Sequence, residues 1–139
     1  MSIAPNQRVF IVDDEVVIAS TLARILRSQG IDTTSFSEPL KALEAARSQA
    51  PSLIISDMSM PEMSGMDMAV QMREECPDCK VLLMTGQGSS REMLDYAKDH
   101  GHRFCIMAKP VYPSELLRRV EGMIGVQRPL VTRYFGEAS

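Results

Sequence analysis

The chain has 139 residues, 45% of them hydrophobic and 24% charged, with a formal net charge of -3. That length holds one domain with a substantial core and excludes two ordinary ones, and the mild acidity argues against direct nucleic-acid binding. No apolar stretch approaches the roughly 20 residues needed to cross a bilayer, and residues 1–8 lack the apolar core of a signal peptide, so no membrane contact and a cytoplasmic location are expected.

Arg8 to Asp13 predicts the first strand. Val16, Val17, Ala19, Leu22, Ala23, Ile25 and Leu26 then recur at helical spacing, and Gly30 supplies a stop. Ile31 to Phe36 predicts the second strand. Ser37 is expected to cap the second helix, with Pro39 in its first turn. Leu40, Leu43, Ala46 and Ala50 mark the apolar face of that helix, and Pro51 ends it. Leu53 to Asp57 is the third strand, followed by the loop 58–65. The third helix covers about Met66 to Glu75, and Pro77 forbids its extension. Lys80 to Met84 forms the fourth strand, and Thr85 to Ser90 a glycine-containing loop. A fourth helix is expected over about Arg91 to His100, stopped by Gly101, and a fifth strand over Arg103 to Ala108. Pro113-Ser114-Glu115 opens a fifth helix that runs to about Met123, with Leu116, Leu117, Val120 and Ile124 on its apolar face. Residues 1–7 read as an extension, 8–125 as the domain and 126–139 as a tail.

Five strands alternating with five helices call for right-handed crossovers and a parallel sheet covered on both faces. The expected fold class is α/β: a doubly wound five-stranded sheet of flavodoxin-like order 2-1-3-4-5, a three-layer (βα)5 sandwich. The continuous apolar character of the strands fits burial on both faces.

The polar residues that end those strands carry the chemistry. Asp13-Asp14 closes the first strand, Asp57 the third, Thr85 the fourth and Lys109 the fifth. In order 2-1-3-4-5 the first and third strands are neighbours, and a crevice opens between their C-terminal ends. Three carboxylates converging there repel one another and raise each other's pKa. A hard divalent cation relieves that repulsion, and Mg²⁺ (or Mn²⁺) suits a few oxygen ligands completed by water. Such a site suits phosphoryl transfer to a carboxylate. Asp57 is the expected nucleophile, with Lys109 and the Thr85 hydroxyl neutralising the phosphoryl oxygens.

These residues resemble the receiver domain of bacterial two-component response regulators, of the chemotaxis-regulator kind. The acidic pair Asp13-Asp14, the D-x-x-M-P-x-x-x-G run of Asp57, Met60, Pro61 and Gly65, Thr85, and Lys109-Pro110 all occur in the family's order, across about Arg8 to Ile124. The resemblance implies a domain that is not a conventional enzyme. It accepts a phosphoryl group on Asp57 from a histidine kinase or phosphotransfer protein, and assists its own phosphorylation and dephosphorylation. It implies Mg²⁺ held by Asp14, Asp57 and the backbone carbonyl of Ser59, with Asp13 acting through metal-bound water. It further implies that phosphorylation changes the affinity of the face formed by the fourth helix, fifth strand and fifth helix, for a partner or a second copy. Ser59 and Gln87 are expected to set the lifetime of the phosphoryl group, and Gly86 to leave its pocket accessible. One departure stands out. Ile106 occupies the position, three before the lysine, where many relatives carry an aromatic switch residue; Phe104 and Tyr112 do not match the spacing.

Two other readings are weaker. An aspartate-nucleophile phosphatase typically carries a second acid where Ser59 stands, and a receiver that only binds partners has no need of the complete acidic set. Cys76-Pro77-Asp78-Cys79 follows a helix C-terminus, where the dipole does not favour a thiolate, and a zinc site there needs two further ligands, whereas His100 and His102 lie near the end of the fourth predicted helix. The histidines and Arg118-Arg119 read as solvated, and the methionines from Met58 to Met72 as loop and core packing.

Overall fold

The computed structural model describes residues 7–86 and 104–125, and Asp95 and Lys98 between them, both helical. The rest of the expected fourth helix, Gln87, His100, His102 and residues 126–139 lie outside the described residues. The elements are β1 (Val9–Val12), α1 (Val16–Ser28), β2 (Thr33–Phe36), α2 (Pro39–Ser48), β3 (Leu53–Asp57), α3 (Gly65–Glu75), β4 (Lys80–Thr85), β5 (Cys105–Ala108) and α4 (Pro113–Ile124). The last of these, α4, is the fifth helix of the sequence pattern.

All four strand pairings are parallel, and the sheet order is β2-β1-β3-β4-β5. The expected fold class is therefore the observed one. Register places Val12 opposite Ser56, Asp57 opposite Met84 and Thr85 opposite Ala108. The polar strand endings consequently line one edge of the sheet.

Strand alternation divides the core in two. Phe10, Val12, Ile54, Val81 and Leu83 pack with the buried residues of α2 and α3. Val9, Ile11, Leu53, Ile55, Leu82 and Met84 pack with those of α1 and α4. The central strand β3 is buried along its whole length. Met58, Met60, Met66, Met68 and Met72 are buried, and Met63 is half-buried against them.

The helix faces depart from the pattern at their ends. Val16 and Val17 are 62% and 75% exposed, because the first turn of α1 follows β1 at the sheet edge and overhangs it. Burial begins at Ala19 and continues through Leu22, Ala23 and Leu26. Leu40 is exposed for a different reason: the buried stripe of α2 runs through Pro39, Ala42, Leu43 and Ala46, which leaves Leu40 off it, and Ala50 lies beyond that helix. Ser37 is not the cap of α2. Pro39 takes the first helical position, so Glu38 becomes the N-cap, without a side-chain hydrogen bond. Arg119 is half-buried rather than simply solvated, and its Nη2 donates to the Ile106 carbonyl at 3.0 Å.

Gly30 does end α1, and by a specific device. Its φ is +83°, its N–H donates to Arg27 O at 2.9 Å, and the Ile31 N–H reaches back to Leu26 O at 3.1 Å. That paired closure is a Schellman motif, sealed by burial of Ile31 with Leu26 in one cluster.

Helices α2 and α3 are joined by a fork. Arg47 Nε and Nη2 donate to Glu75 Oε1 and Oε2 at 2.8 and 3.2 Å, and Gln71 Nε2 donates to Oε2 at 2.9 Å. These donors hold the Glu75 carboxyl at about 2, against an ordinary 4.5. In the native protein Glu75 is expected to stay ionised until pH falls to about 2. In Arg47→Ala its titration, followed by carboxylate carbon shifts, moves back toward the ordinary value.

Candidate functional site

The acidic end of the sheet is built by apolar strands. Burial of Val9–Val12 and Leu53–Asp57 sets Asp13 and Asp57 at neighbouring strand ends, one position beyond the Val12–Ser56 pair. Asp13 is fully buried, Asp57 is 7% exposed, and Asp14 faces solvent. Carboxylate oxygens of Asp13, Asp14 and Asp57 all lie within 4.8 Å of one another.

One ammonium serves two of them. Lys109 Nζ lies 3.1 Å from Asp57 Oδ1 and 3.5 Å from Asp13 Oδ2. Its backbone is fixed by an N–H bond to the Thr85 carbonyl at 2.8 Å, and the Lys109-Pro110 peptide is cis. Thr85 ends β4 beside Ala108, half-buried at the same edge. Asp13 Oδ1 accepts from the Glu15 N–H at 3.0 Å, whereas the buried Oδ2 has no hydrogen-bond donor, only the ion pair with Lys109.

Burial pushes the Asp13 carboxyl up. The Glu15 amide and Lys109 pull it down without cancelling that, and the Asp57 and Asp14 charges add to the rise. For Lys109 burial opposes the ammonium, but the hydrogen bond to Asp57 and the Asp13 charge outweigh it, and its pKa sits above the ordinary 10.5. The site therefore holds a permanent cation between carboxylates that repel one another.

Two hollows adjoin it. An open cleft of about 450 Å³ is lined by Asp14, Met58, Ser59, Met60, Pro61 and Ser64. A largely apolar one of about 290 Å³ lies on the other side, against Val17, Leu22, Met84, Lys109, Pro110 and Val111. The structure thus gathers Asp13, Asp14, Asp57 and Lys109, puts Thr85 at the same edge, and sets Ser59 in the cleft that Asp14 lines. Gln87 lies outside the described residues. Ile106 is half-buried against the α2–α3 side of the core with Phe104, and Tyr112 is exposed at the start of α4. A methyl group on Gly86 meets nothing within 4 Å, so that position is open.

Sequence reasoning missed two neighbours of the acceptor. Ser56 Oγ donates to the Asp57 carbonyl at 2.9 Å, and Gly65 lies directly against the same peptide. A buried serine before an acid gives no sequence signal; the glycine was visible only as a motif letter. The cysteines are free among the described residues. Burial raises the Cys76 thiol and pushes Cys79 up to about 12, which suits packing rather than thiolate chemistry.

The family profile of the response regulator receiver domain matches residues 9–121. The chain belongs to this family, whose members are signalling domains of two-component systems rather than conventional enzymes. It is 30% identical over 116 residues to the probable transcriptional regulatory protein TcrX of Mycobacterium tuberculosis, covering 84% of this chain and 49% of that protein. It is likewise 30% identical over 119 residues to the DNA-binding response regulator MtrA of Mycobacterium leprae, 86% of this chain and 52% of the relative. The chain spans about half the length of these curated relatives. Among solved structures it is similar to a receiver domain protein from Clostridium thermocellum, with TM-score 0.76, 25% identity and coverage of 85% of this chain and 94% of that one. It is also similar to the chemotaxis protein CheY4 of Vibrio cholerae, with TM-score 0.73, 26% identity and coverage of 85% and 98%. No described helix is long and apolar enough to cross a membrane.

Proposed function

We propose that this chain is a phosphoacceptor that takes a phosphoryl group from a histidine kinase or phosphotransfer protein onto Asp57 and thereby changes its affinity for a partner. The observation that carries the reading is Lys109 Nζ, 3.1 Å from Asp57 Oδ1, in a pocket of three converging carboxylates. An Asp57 carboxylate oxygen attacks phosphorus, the bond from phosphorus to the donor atom breaks, and the donor leaves with the electron pair. Lys109 is placed to balance charge on the transferring group, and the Thr85 hydroxyl to donate to one of its oxygens.

The donor set fits a hard divalent cation, Mg²⁺ or Mn²⁺. It is all oxygen, its carboxylates lie within 4.8 Å of one another, and Asp13 keeps a buried oxygen without a hydrogen bond. Asp14, Asp57 and the Ser59 carbonyl would hold the ion, with Asp13 acting through its water ligands. When bound, it supplies charge that offsets the carboxylates and the incoming phosphoryl oxygens. Phosphoryl lifetime is assigned to Ser59 and Gln87, and output to the face of the fourth predicted helix, β5 and α4, toward a partner or a second copy. Residues 8–125 would form the functional unit, working in the cytoplasm.

A protein donor is favoured by exposed apolar side chains: Val17 and Pro110 line the apolar hollow that Lys109 also lines, and Val16 and Tyr112 are exposed close to them in sequence. Val17→Glu is expected to slow transfer from a phosphohistidine protein at least tenfold, and more than uptake from a small acyl phosphate; equal slowing in both assays counts against this surface. The reading as a whole is tested by incubation with an acyl phosphate. Uptake should saturate at one phosphoryl group per chain and vanish with a chelator. Continued turnover of phosphomonoesters instead would revive the phosphatase.

A further inference from the structure

The first turn of α3 sits on the peptide that carries Asp57. A Cβ at Gly65 would overlap the Asp57 carbonyl oxygen and lie 2.9 Å from both Asp57 C and Met58 Cα. These are backbone atoms at and just past the end of the buried central strand, so they have little freedom to yield. The Gly65 N–H also donates to Met58 O at 2.8 Å, while the Met58 N–H donates to Met84 O at 2.9 Å. The peptide groups on both sides of Met58 are thus fixed, one by β4 and the other by α3. Ser56 Oγ holds the Asp57 carbonyl from a third direction. Ser64 seats the helix start, because its Oγ accepts from the Asp67 N–H at 3.0 Å. The loop 58–65 is closed between these anchors, with Met58, Met60 and Met66 buried in one cluster and Ser59 left exposed in the cleft beside Asp14.

We infer that Gly65 is a positioning residue for the divalent cation: the absence of its side chain lets α3 clamp the peptides on both sides of Met58 and so fixes the carbonyl that follows them, that of Ser59, relative to the Asp57 and Asp14 carboxylates. This rests on the metal reading given under the proposed function. Mg²⁺ demands near-ideal octahedral geometry at about 2.1 Å from each oxygen, so a displaced carbonyl costs affinity in a way that a merely loosened helix does not.

Calorimetric titration of the full chain with Mg²⁺, well below each variant's Tm, tests it. Wild type is expected to bind one ion. Gly65→Ala is expected to bind at least tenfold more weakly. Gly122→Ala, where a new Cβ meets nothing within 4 Å, is expected to bind as wild type does. If Gly65→Ala does not fold, Ser64→Ala decides, since it removes only the seat of the first turn; a severalfold weaker affinity is expected. A folded Gly65→Ala with wild-type affinity and only a lowered Tm makes the glycine a packing residue and overturns the inference, as does unchanged affinity in Ser64→Ala. Failure of wild type to bind Mg²⁺ overturns the metal reading itself, a separate outcome.

Discussion

Lys109→Met is expected to lower the rate of phosphoryl uptake from a small phosphodonor by about 100-fold or more, the scale of losing one preorganised charge-stabilising group. The ammonium lies 3.1 Å from Asp57 and 3.5 Å from Asp13, three-quarters hidden from solvent. No other described cation is paired with either carboxylate, so no described residue takes over its charge. The same change should act oppositely on the metal. Without Lys109, Asp13 and Asp57 lose the one cation paired with them among the described residues, so Mg²⁺ affinity rises while transfer falls. Rates from quenched intact-mass time courses and affinities from calorimetry check the pair. A variant that loses both together has been disorganised rather than discharged, and then says nothing about charge at phosphorus.

The second large effect is on stability. Ile55→Ala is expected to destabilise the fold by about 3–4 kcal/mol, because the side chain is fully buried in the central strand and its truncation leaves a cavity there. Against a total of roughly 5–15 kcal/mol for a domain of ordinary stability, that is a large share. It corresponds to a Tm lower by roughly 10 °C. Thermal unfolding followed by far-ultraviolet circular dichroism measures it; a shift of only a degree or two would mean that the β3 core repacks. The position faces the α1–α4 side of the core, so the loss should spread to both helices and not remain local.

Much of the fold was legible because its strands are buried on both faces. Runs such as Leu53-Ile54-Ile55 leave no helical alternative of adequate length, and the Pro and Gly residues between segments mark the crossovers. The helices were less legible at their N-terminal turns. Periodicity assigns Val16, Val17 and Leu40 to apolar faces, but it carries no information about where the sheet beneath ends. Val16 and Val17 stay exposed ahead of the first buried residue, Ala19, and Leu40 stays exposed because the buried stripe of α2 runs through Pro39, Ala42, Leu43 and Ala46 instead. The Ser37 cap failed for a local reason: Pro39 sets the first helical position, and the cap follows from it.

The site was legible through strand order. Asp13 and Asp57 are 44 residues apart in sequence, and only the adjacency of β1 and β3 brings them together. The supports were not. Nothing in the sequence shows that Ser56 Oγ bonds the Asp57 carbonyl, that one lysine serves two carboxylates, or that Arg119 reaches the Ile106 carbonyl. Those are consequences of three-dimensional packing. The Ile106 departure acquires a structural context: the side chain packs inward with Phe104, and its carbonyl is held by α4. Any signal from Thr85 therefore reaches β5 without an aromatic side chain at that position to turn.

The central claim is that Asp57 is the phosphoryl acceptor. It is tested most directly by intact-mass measurement of wild type and Asp57→Asn after incubation with Mg²⁺ and an acyl phosphate, with folding of both checked by circular dichroism. The predicted result is an added mass of one phosphoryl group on wild type and none on the variant. A folded wild type that gains no mass, or a variant that gains as much as wild type, would contradict it.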